Sequence, residues 1–311
     1  VGVTAALVAR ERDGRGQLVE VPLYDAFFEA IGARVLRYER NPPAAALLGA
    51  GFYRCADGGY VSLITVWHRH LEWFLRAAGC EEWLADGTAG YDEQRSDPAA
   101  QAELRRRLVE LLATRTAGEW EELGRQAGVP IAAVRTAAEW QSQAALLAPE
   151  SVRVEPDGVR PAPLVRVRDH GAVAHRESSS EMRGGPLAGV RVVDMTRVLA
   201  APTVARILGE LGAEVIKVDV EPGRTRAGLR EPFFHESVNR GKRLLVVDAH
   251  APGGAKQVAE LCRAADVLVT NFTQPALARL GLDVETIRDV APHLVHAYLN
   301  AFGTSGPWAE L

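Results

Sequence analysis

Val190–Val218, VRVVDMTRVLAAPTVARILGELGAEVIKV, decides the fold. Val190–Met195 is an apolar run of strand length interrupted only by Arg191 and Asp194. Thr203–Leu211 has the spacing of a helix, and Gly212 closes it. Glu214–Val218 is a second apolar strand. Strand, helix and strand in so few residues require a crossover that brings the two strands back in parallel. The same alternation continues downstream. Leu244–Asp248 reads as a strand, Gly253–Ala264 as a helix and Asp266–Thr270 as a strand. Pro275–Leu280 is a short helix with Gly281 behind it, Asp283 caps a further helix, and Leu294–Leu299 is the fifth strand. Continuous apolar strands alternating with helices predict an α/β fold, a Rossmann-like doubly wound parallel sheet covered on both faces.

Upstream the pattern changes. Residues 169–185 are polar, rich in Ser and Gly and without periodicity, and read as a linker between 1–168 and 186–311. The N-terminal half reads as a mainly helical α+β small domain. Val1–Glu11 is helical up to Asp13-Gly14, Gln17–Val21 reads as a short strand, and Tyr24–Leu36 is helical. A hairpin is expected over Gly51–Cys55 and Gly59–Thr65, with helices over His70–Ala78, from Asp97-Pro98, over Gly118–Gln126 and from Thr136. Val129–Val134 is a strand, and Val152–Val167 is extended around a Pro156-Asp157-Gly158 turn.

The chain has 311 residues, 47% of them hydrophobic, which suffices for two structural units with buried cores. A net charge of −4 with scattered Lys and Arg argues against nucleic acid or an anionic membrane as the main partner. No apolar run reaches transmembrane length, and no secretory segment opens the chain, so a cytoplasmic location is expected. Cys55, Cys80 and Cys262 are far apart and lack CxxC spacing. They read as small buried hydrophobes rather than as disulfide or zinc partners.

In a doubly wound sheet, ligands sit beyond the C-terminal strand ends. The residues there are Thr196–Pro202, Val220–Arg230, Asp248–His250, Asn271–Gln274 and Asn300–Gly306. The first of these turns lacks the GxGxxG of a dinucleotide site, and no P-loop follows. Gly303-Thr304-Ser305-Gly306 has the wrong spacing for a serine nucleophile elbow and reads as a turn. His68 and His70 diverge on a helix and make a poor metal pair, so no metal site is predicted. Asp194 reads as a structural hydrogen-bond partner, and His250 as either a ligand contact or a helix cap. Two basic groups, Lys217 with Arg224, Arg226 and Arg230, and Arg240 with Lys242 and Arg243, fit either a phosphate-bearing ligand or ordinary solvated surface.

These residues carry a resemblance. Pro186–Pro202, Leu211–Val218, Asn239–Arg243 followed by Asp248, Ala265–Phe272, Leu280–Leu282 and Phe302–Pro307 resemble, in order, the N-terminal half of the class III CoA-transferases (the CaiB/BaiF type). Ala5–Leu7, Arg10–Gln17, Val19–Ala26, Tyr53–Val61, Glu119-Trp120 and Gly128–Pro130 resemble the C-terminal half of the same family. The halves stand in inverted order, as expected of a fragment spanning the end of one copy and the start of a second in a tandem protein.

The resemblance implies transfer of CoA from an acyl-CoA to a carboxylic acid through an aspartyl intermediate, with coenzyme A as co-substrate and no metal. The expected aspartate falls upstream of Gly2 in one copy and beyond Leu311 in the other, so no residue of the chain takes the catalytic role and the fragment itself is expected to be inactive. For CoA binding it implies Leu199 and Ala200 through their backbone, Val247, Asp248, Ala249 and His250 at the next strand end, Asn271, Phe272 and Thr273 beside the pantetheine or adenine, and Arg279 facing a phosphate. Val220 stands where a basic residue is expected, which makes Arg224 the substitute. The alternatives are an acyl-CoA racemase of the same superfamily and a non-catalytic CoA-binding or scaffold half. The implied assembly is an interlocked homodimer or a tandem pseudo-dimer.

Overall fold

The computed structural model describes residues 1–31, 49–65, 68–89, 97–163, 165–168, 184–220 and 232–309. The packing divides them into two compact units, one built from parts of 1–41 and 163–301, the other from parts of 42–162 and 302–309. Most of the linker, and Arg224, Arg226 and Arg230, lie outside the described residues.

The chain opens with helices α1 (Gly2–Asp13) and α2 (Leu23–Ile31) of the first unit. Between them the structure corrects the sequence reading: no strand forms over Gln17–Val21, where Leu18 and Val21 are exposed. The composition fits a strand, but a strand is stable only as part of a ladder.

The second unit begins with β1 (Gly51–Arg54), β2 (Tyr60–Leu63), α3 (His68–Ala78) and α4 (Glu82–Ala85). Helices α5 (Pro98–Leu112) and α6 (Ala117–Ala127), strand β3 (Ile131–Ala133) and helix α7 (Ala137–Leu147) follow. The caps read from sequence are present. The Asp97 side chain accepts the Ala99 N–H, and Thr136 forms a capping box with Glu139. Strands β1, β2 and β3 form an antiparallel sheet in that order. Its core joins Tyr53, Leu63, Phe74, Leu108 and Trp120, whose indole N–H donates to the Leu112 carbonyl at 2.9 Å. Strands β4 (Val152–Glu155) and β5 (Gly158–Pro161) close a separate hairpin. The segment after residue 301 returns to this unit. Trp308 stacks on Trp140 with ring centroids 5.4 Å apart, and Glu150 accepts hydrogen bonds from the N–H and hydroxyl of Thr304. The Gly303–Gly306 turn therefore packs within this unit.

The first unit resumes with β6 (Arg191–Met195), α8 (Ala200–Glu210), β7 (Glu214–Asp219), α9 (Pro232–Asn239) and β8 (Arg243–Val246). It continues with α10 (Gly254–Ala264), β9 (Val267–Thr270), α11 (Gln274–Arg279), α12 (Val284–Val290) and β10 (Val295–Tyr298). The five strands are parallel in the order β10-β9-β6-β7-β8. Val192, Val215 and Val269 pack on one face with Ala5 of α1 and Ala205 of α8. Val193, Met195, Val218 and Leu268 pack on the other with Val258 of α10, Leu277 of α11 and Ile287 of α12. The doubly wound arrangement is thus present. The order reverses between β6 and β9, which places the crevice of the sheet at their C-terminal ends. Strand β8, at one edge of the sheet, departs from the expected burial: all four of its residues are exposed.

Cys55, Cys80 and Cys262 are free and buried, and burial pushes the Cys262 thiol up to about 12. Among the described residues no helix is long and apolar enough to cross a membrane.

At the start of α10 a Cβ on Gly254 would lie 1.9 Å from the Asp248 carbonyl oxygen, a backbone atom that cannot swing away. Gly254→Ala is therefore expected to destabilise the first unit by roughly 1–3 kcal/mol, read as a lower urea midpoint, with an unchanged midpoint contradicting the packing.

Burial depresses His70 and His296 to about 4, and neither Nδ1 has a hydrogen-bond partner among the described residues. Both histidines bind protons more weakly folded than unfolded, so their contribution is complete above about pH 6.5 and is lost as pH falls toward 4. The depressed carboxylates Asp86, Glu103 and Glu122, held near 2, act in the same direction but only below the ordinary carboxylate range. Tm is expected to fall between pH 6.5 and 5, and less steeply in His296→Gln; an equal slope in the variant would refute the assignment.

Candidate functional site at the carboxyl edge of the parallel sheet

The turn leaving β6 is the most constrained backbone of the edge. Val198 has φ 69°, the one non-glycine residue at positive φ among the described residues. For a β-branched side chain this left-handed conformation is an outlier that costs about 1–3 kcal/mol and persists only where the surroundings enforce it. Here they do so from both sides.

On the strand side stands Asp194, fully buried. Its Oδ1 accepts the Thr196 N–H at 2.9 Å and the Thr196 hydroxyl at 2.5 Å. The ammonium of Lys217 donates to the same oxygen at 3.3 Å and also to the Thr196 carbonyl. Lys242 Nζ donates to Asp194 Oδ2 at 2.7 Å, to the Pro202 carbonyl at 2.8 Å and to Asn239 Oδ1 at 3.2 Å. One carboxylate thus ties the end of β6, the first turn of α8, strand β7 and the turn before β8. Desolvation lowers the affinity of both lysines for their protons, and the Asp194 charge opposes it. Asp194 is the structural partner that its place in the sequence predicted.

On the neighbouring strand end, the Asn271 side chain brackets the next residue. Its Oδ1 accepts the Arg197 N–H and its Nδ2 donates to the Arg197 carbonyl, both at 2.9 Å. The Arg197 guanidinium lies over the Phe272 ring, 4.6 Å from its centroid. With residues 196 and 197 fixed and Pro202 pinned, Val198 and Leu199 are left as a half-exposed arch between β6 and α8.

The predicted site residues fall into three places. Leu199 and Ala200 follow β6, and Asn271, Phe272 and Thr273 follow β9, on the two sides of the crevice; Arg197 joins the two loops through Asn271 and Phe272. Val247 through His250 follow β8, two strands away and so roughly 10 Å along the sheet edge. There Val247 and Ala249 are buried, Asp248 and His250 are exposed, and Asp248 Oδ1 accepts the His250 N–H at 3.0 Å. The N-cap of α10 is Gly253, so the capping reading of His250 is not realised. Arg279 is exposed at the far end of α11, about 9 Å of helix from Thr273.

The basic groups need correction. Lys217 and Lys242 point into the protein and are spent on Asp194. Arg240 and Arg243 pair with Glu210 and Glu214 on the surface. Val220 is buried and its carbonyl accepts the Ala249 N–H at 3.0 Å, so that position offers no phosphate contact. Sequence reasoning missed the lysine pair although its signal was present. Asp194 and Lys217 are each the fourth residue of adjacent parallel strands, and the register sets them opposite. Among the described residues no group of three His, Cys, Asp or Glu side chains could hold a metal ion.

Comparison with known proteins gives these arrangements a context. The sequence model described as "CoA-transferase family III" matches residues 1–182 and 187–311. A succinate–glutarate CoA-transferase of Agrobacterium fabrum is 39% identical over 142 residues, 41% of this chain and 35% of the relative. Human succinyl-CoA:glutarate CoA-transferase is 40% identical over 134 residues, 40% of this chain and 30% of the relative. A CaiB/BaiF family protein from Brucella suis of known structure is 35% identical, with a TM-score of 0.38 over 41% of this chain and 36% of that one. The chain thus spans about a third of the length of the relatives it matches. With the family's sequence model matching nearly end to end, the chain belongs to CoA-transferase family III.

Proposed function

We propose that the chain is part of an enzyme that moves CoA from an acyl-CoA to a carboxylic acid, with coenzyme A as co-substrate. The observation that carries this reading is the family match in two successive stretches, 1–182 and 187–311. In this reading the stretches are the C-terminal half of one copy and the N-terminal half of a second, in a cytoplasmic tandem protein whose copies pair as an interlocked dimer does. The chemistry runs through an aspartate that forms an acyl anhydride, splitting one difficult exchange into easier acyl transfers. Asp194 is unsuited to that role, since it is fully buried and both its oxygens are engaged. Asp248 sits in a local turn and Asp25 in the first turn of α2, and neither is assigned the role.

CoA lies along the carboxyl edge of the parallel sheet. The arch at Leu199 and Ala200 offers backbone N–H groups at the start of α8, where an anion is favoured. The Phe272 ring and the Asn271 amide flank the crevice, Val247–His250 extend it, and Arg279 supplies an exposed positive charge for a phosphate. A surface spread over several strand ends suits a long ligand better than a compact one.

Two measurements test the proposal. Incubated with an acyl-CoA and a free carboxylic acid in deuterated buffer, the intact protein is expected to exchange CoA between the acids without deuterium entering the α-carbon. Wash-in without CoA exchange identifies an acyl-CoA racemase instead, and neither reaction identifies a non-catalytic CoA-binding half. Arg279→Ala is expected to weaken CoA binding several-fold in calorimetry, and unchanged affinity removes Arg279 from the site.

A further inference from the structure

We infer that Lys242, acting through Asp194, is a positioning residue for CoA: it holds the Val198 arch in its left-handed form and so presents Leu199 and Ala200 to the ligand. The inference rests on the CoA-binding reading above and names a device within that site. The Lys242 side chain is buried: its ammonium donates to Asp194, Asn239 and the Pro202 carbonyl, inside the protein rather than at the exposed edge.

The argument is one of constraint. A valine left to itself does not rest at φ 69°; it relaxes toward the β or right-handed region. Four anchors prevent this. The Asp194 carboxylate fixes residue 196 from its amide and hydroxyl, the Lys217 ammonium holds its carbonyl, Asn271 fixes residue 197 on both sides, and Lys242 holds residue 202 to the same carboxylate. The span from 197 to 202 then has its ends fixed, and Val198 absorbs the mismatch. Lys242 is the anchor that joins the two ends through a single ammonium group. Its removal takes away the tie between that carboxylate and residue 202 in the first turn of α8, and leaves Asp194 with Lys217 as its only ammonium partner among the described residues.

A population argument sets the size of the effect. If the unclamped arch adopts the left-handed form about a tenth of the time, the apparent affinity for a ligand that needs that form falls about tenfold. Glycine adopts the left-handed form freely, so it should supply by conformational preference what the lysine supplies by constraint.

The test is CoA binding, measured by calorimetry on the 311-residue chain, for the wild type, Lys242→Met and Lys242→Met with Val198→Gly. Lys242→Met is expected to weaken binding by about tenfold. Val198→Gly in that background is expected to bring the affinity back to within about threefold of wild type. A Lys242→Met protein that is folded and binds as wild type overturns the inference, and so does a loss that glycine does not rescue, since a purely structural role would lower stability without that rescue. Amide hydrogen exchange on the wild-type chain gives a reading independent of any variant folding. The amides of Thr196 and Arg197 are expected to exchange in the slow class of Val193 and Val269, and exchange at the rate of exposed loops overturns the inference. A wild-type chain that fails to bind CoA sinks the binding reading itself, while the exchange measurement still decides whether the arch is clamped.

Discussion

A carboxylate sealed inside a protein must find partners, and the partners of Asp194 organise the carboxyl edge of the parallel sheet in this one. Two ammonium groups and a threonine converge on it from β6, β7 and the turn before β8. The arrangement is costly to assemble and costlier to break: removing one partner of a buried ion pair typically costs about 3–5 kcal/mol, because the remaining charge has nowhere to go. Its value to the fold is one of definition. The apolar faces of the sheet would tolerate small shifts of one strand or helix against another, whereas a shared carboxylate accepts one register. Asp194 opposite Lys217 fixes β6 against β7, and Lys242 fixes the start of α8 against both.

The strain at Val198 follows from that definition. Dinucleotide-binding sheets place glycines in the turn after the first strand so that the backbone can approach a pyrophosphate freely. This chain has Thr196-Arg197-Val198-Leu199 instead and reaches a left-handed residue without a glycine. A turn made by constraint rather than by glycine loses less conformational entropy when a ligand arrives, because it is already ordered. The cost is borne in folding, by a core that over-determines the arch.

The sheet was legible in sequence because its signals are local. Apolar strands of five or six residues, a glycine at 212 behind the first helix and an aspartate cap at 283 each act within a few residues, and each appears where it was read. The signals that misled are those whose meaning depends on a distant neighbour. Leu18, Val19 and Val21 have strand composition but no ladder to join. Leu244–Val246 has the composition of a central strand but lies at the sheet edge. Lys217 and Lys242 read as either phosphate contacts or solvated surface, yet each turns inward toward a carboxylate 23 or 48 residues away. The candidate site is divided in the same way. Asn271 and Phe272 could be placed at a strand end from the pattern, but the bracket Asn271 forms around Arg197 needs the parallel neighbour that only the fold supplies.

We propose that CoA meets the chain along the carboxyl edge of this parallel sheet. Hydrogen exchange on the chain with and without saturating CoA tests it most directly. Slower exchange is expected at residues 196–202, 247–250 and 271–279, with the antiparallel sheet of β1, β2 and β3 unaffected. Protection confined to that antiparallel sheet, or no protection anywhere, would contradict it.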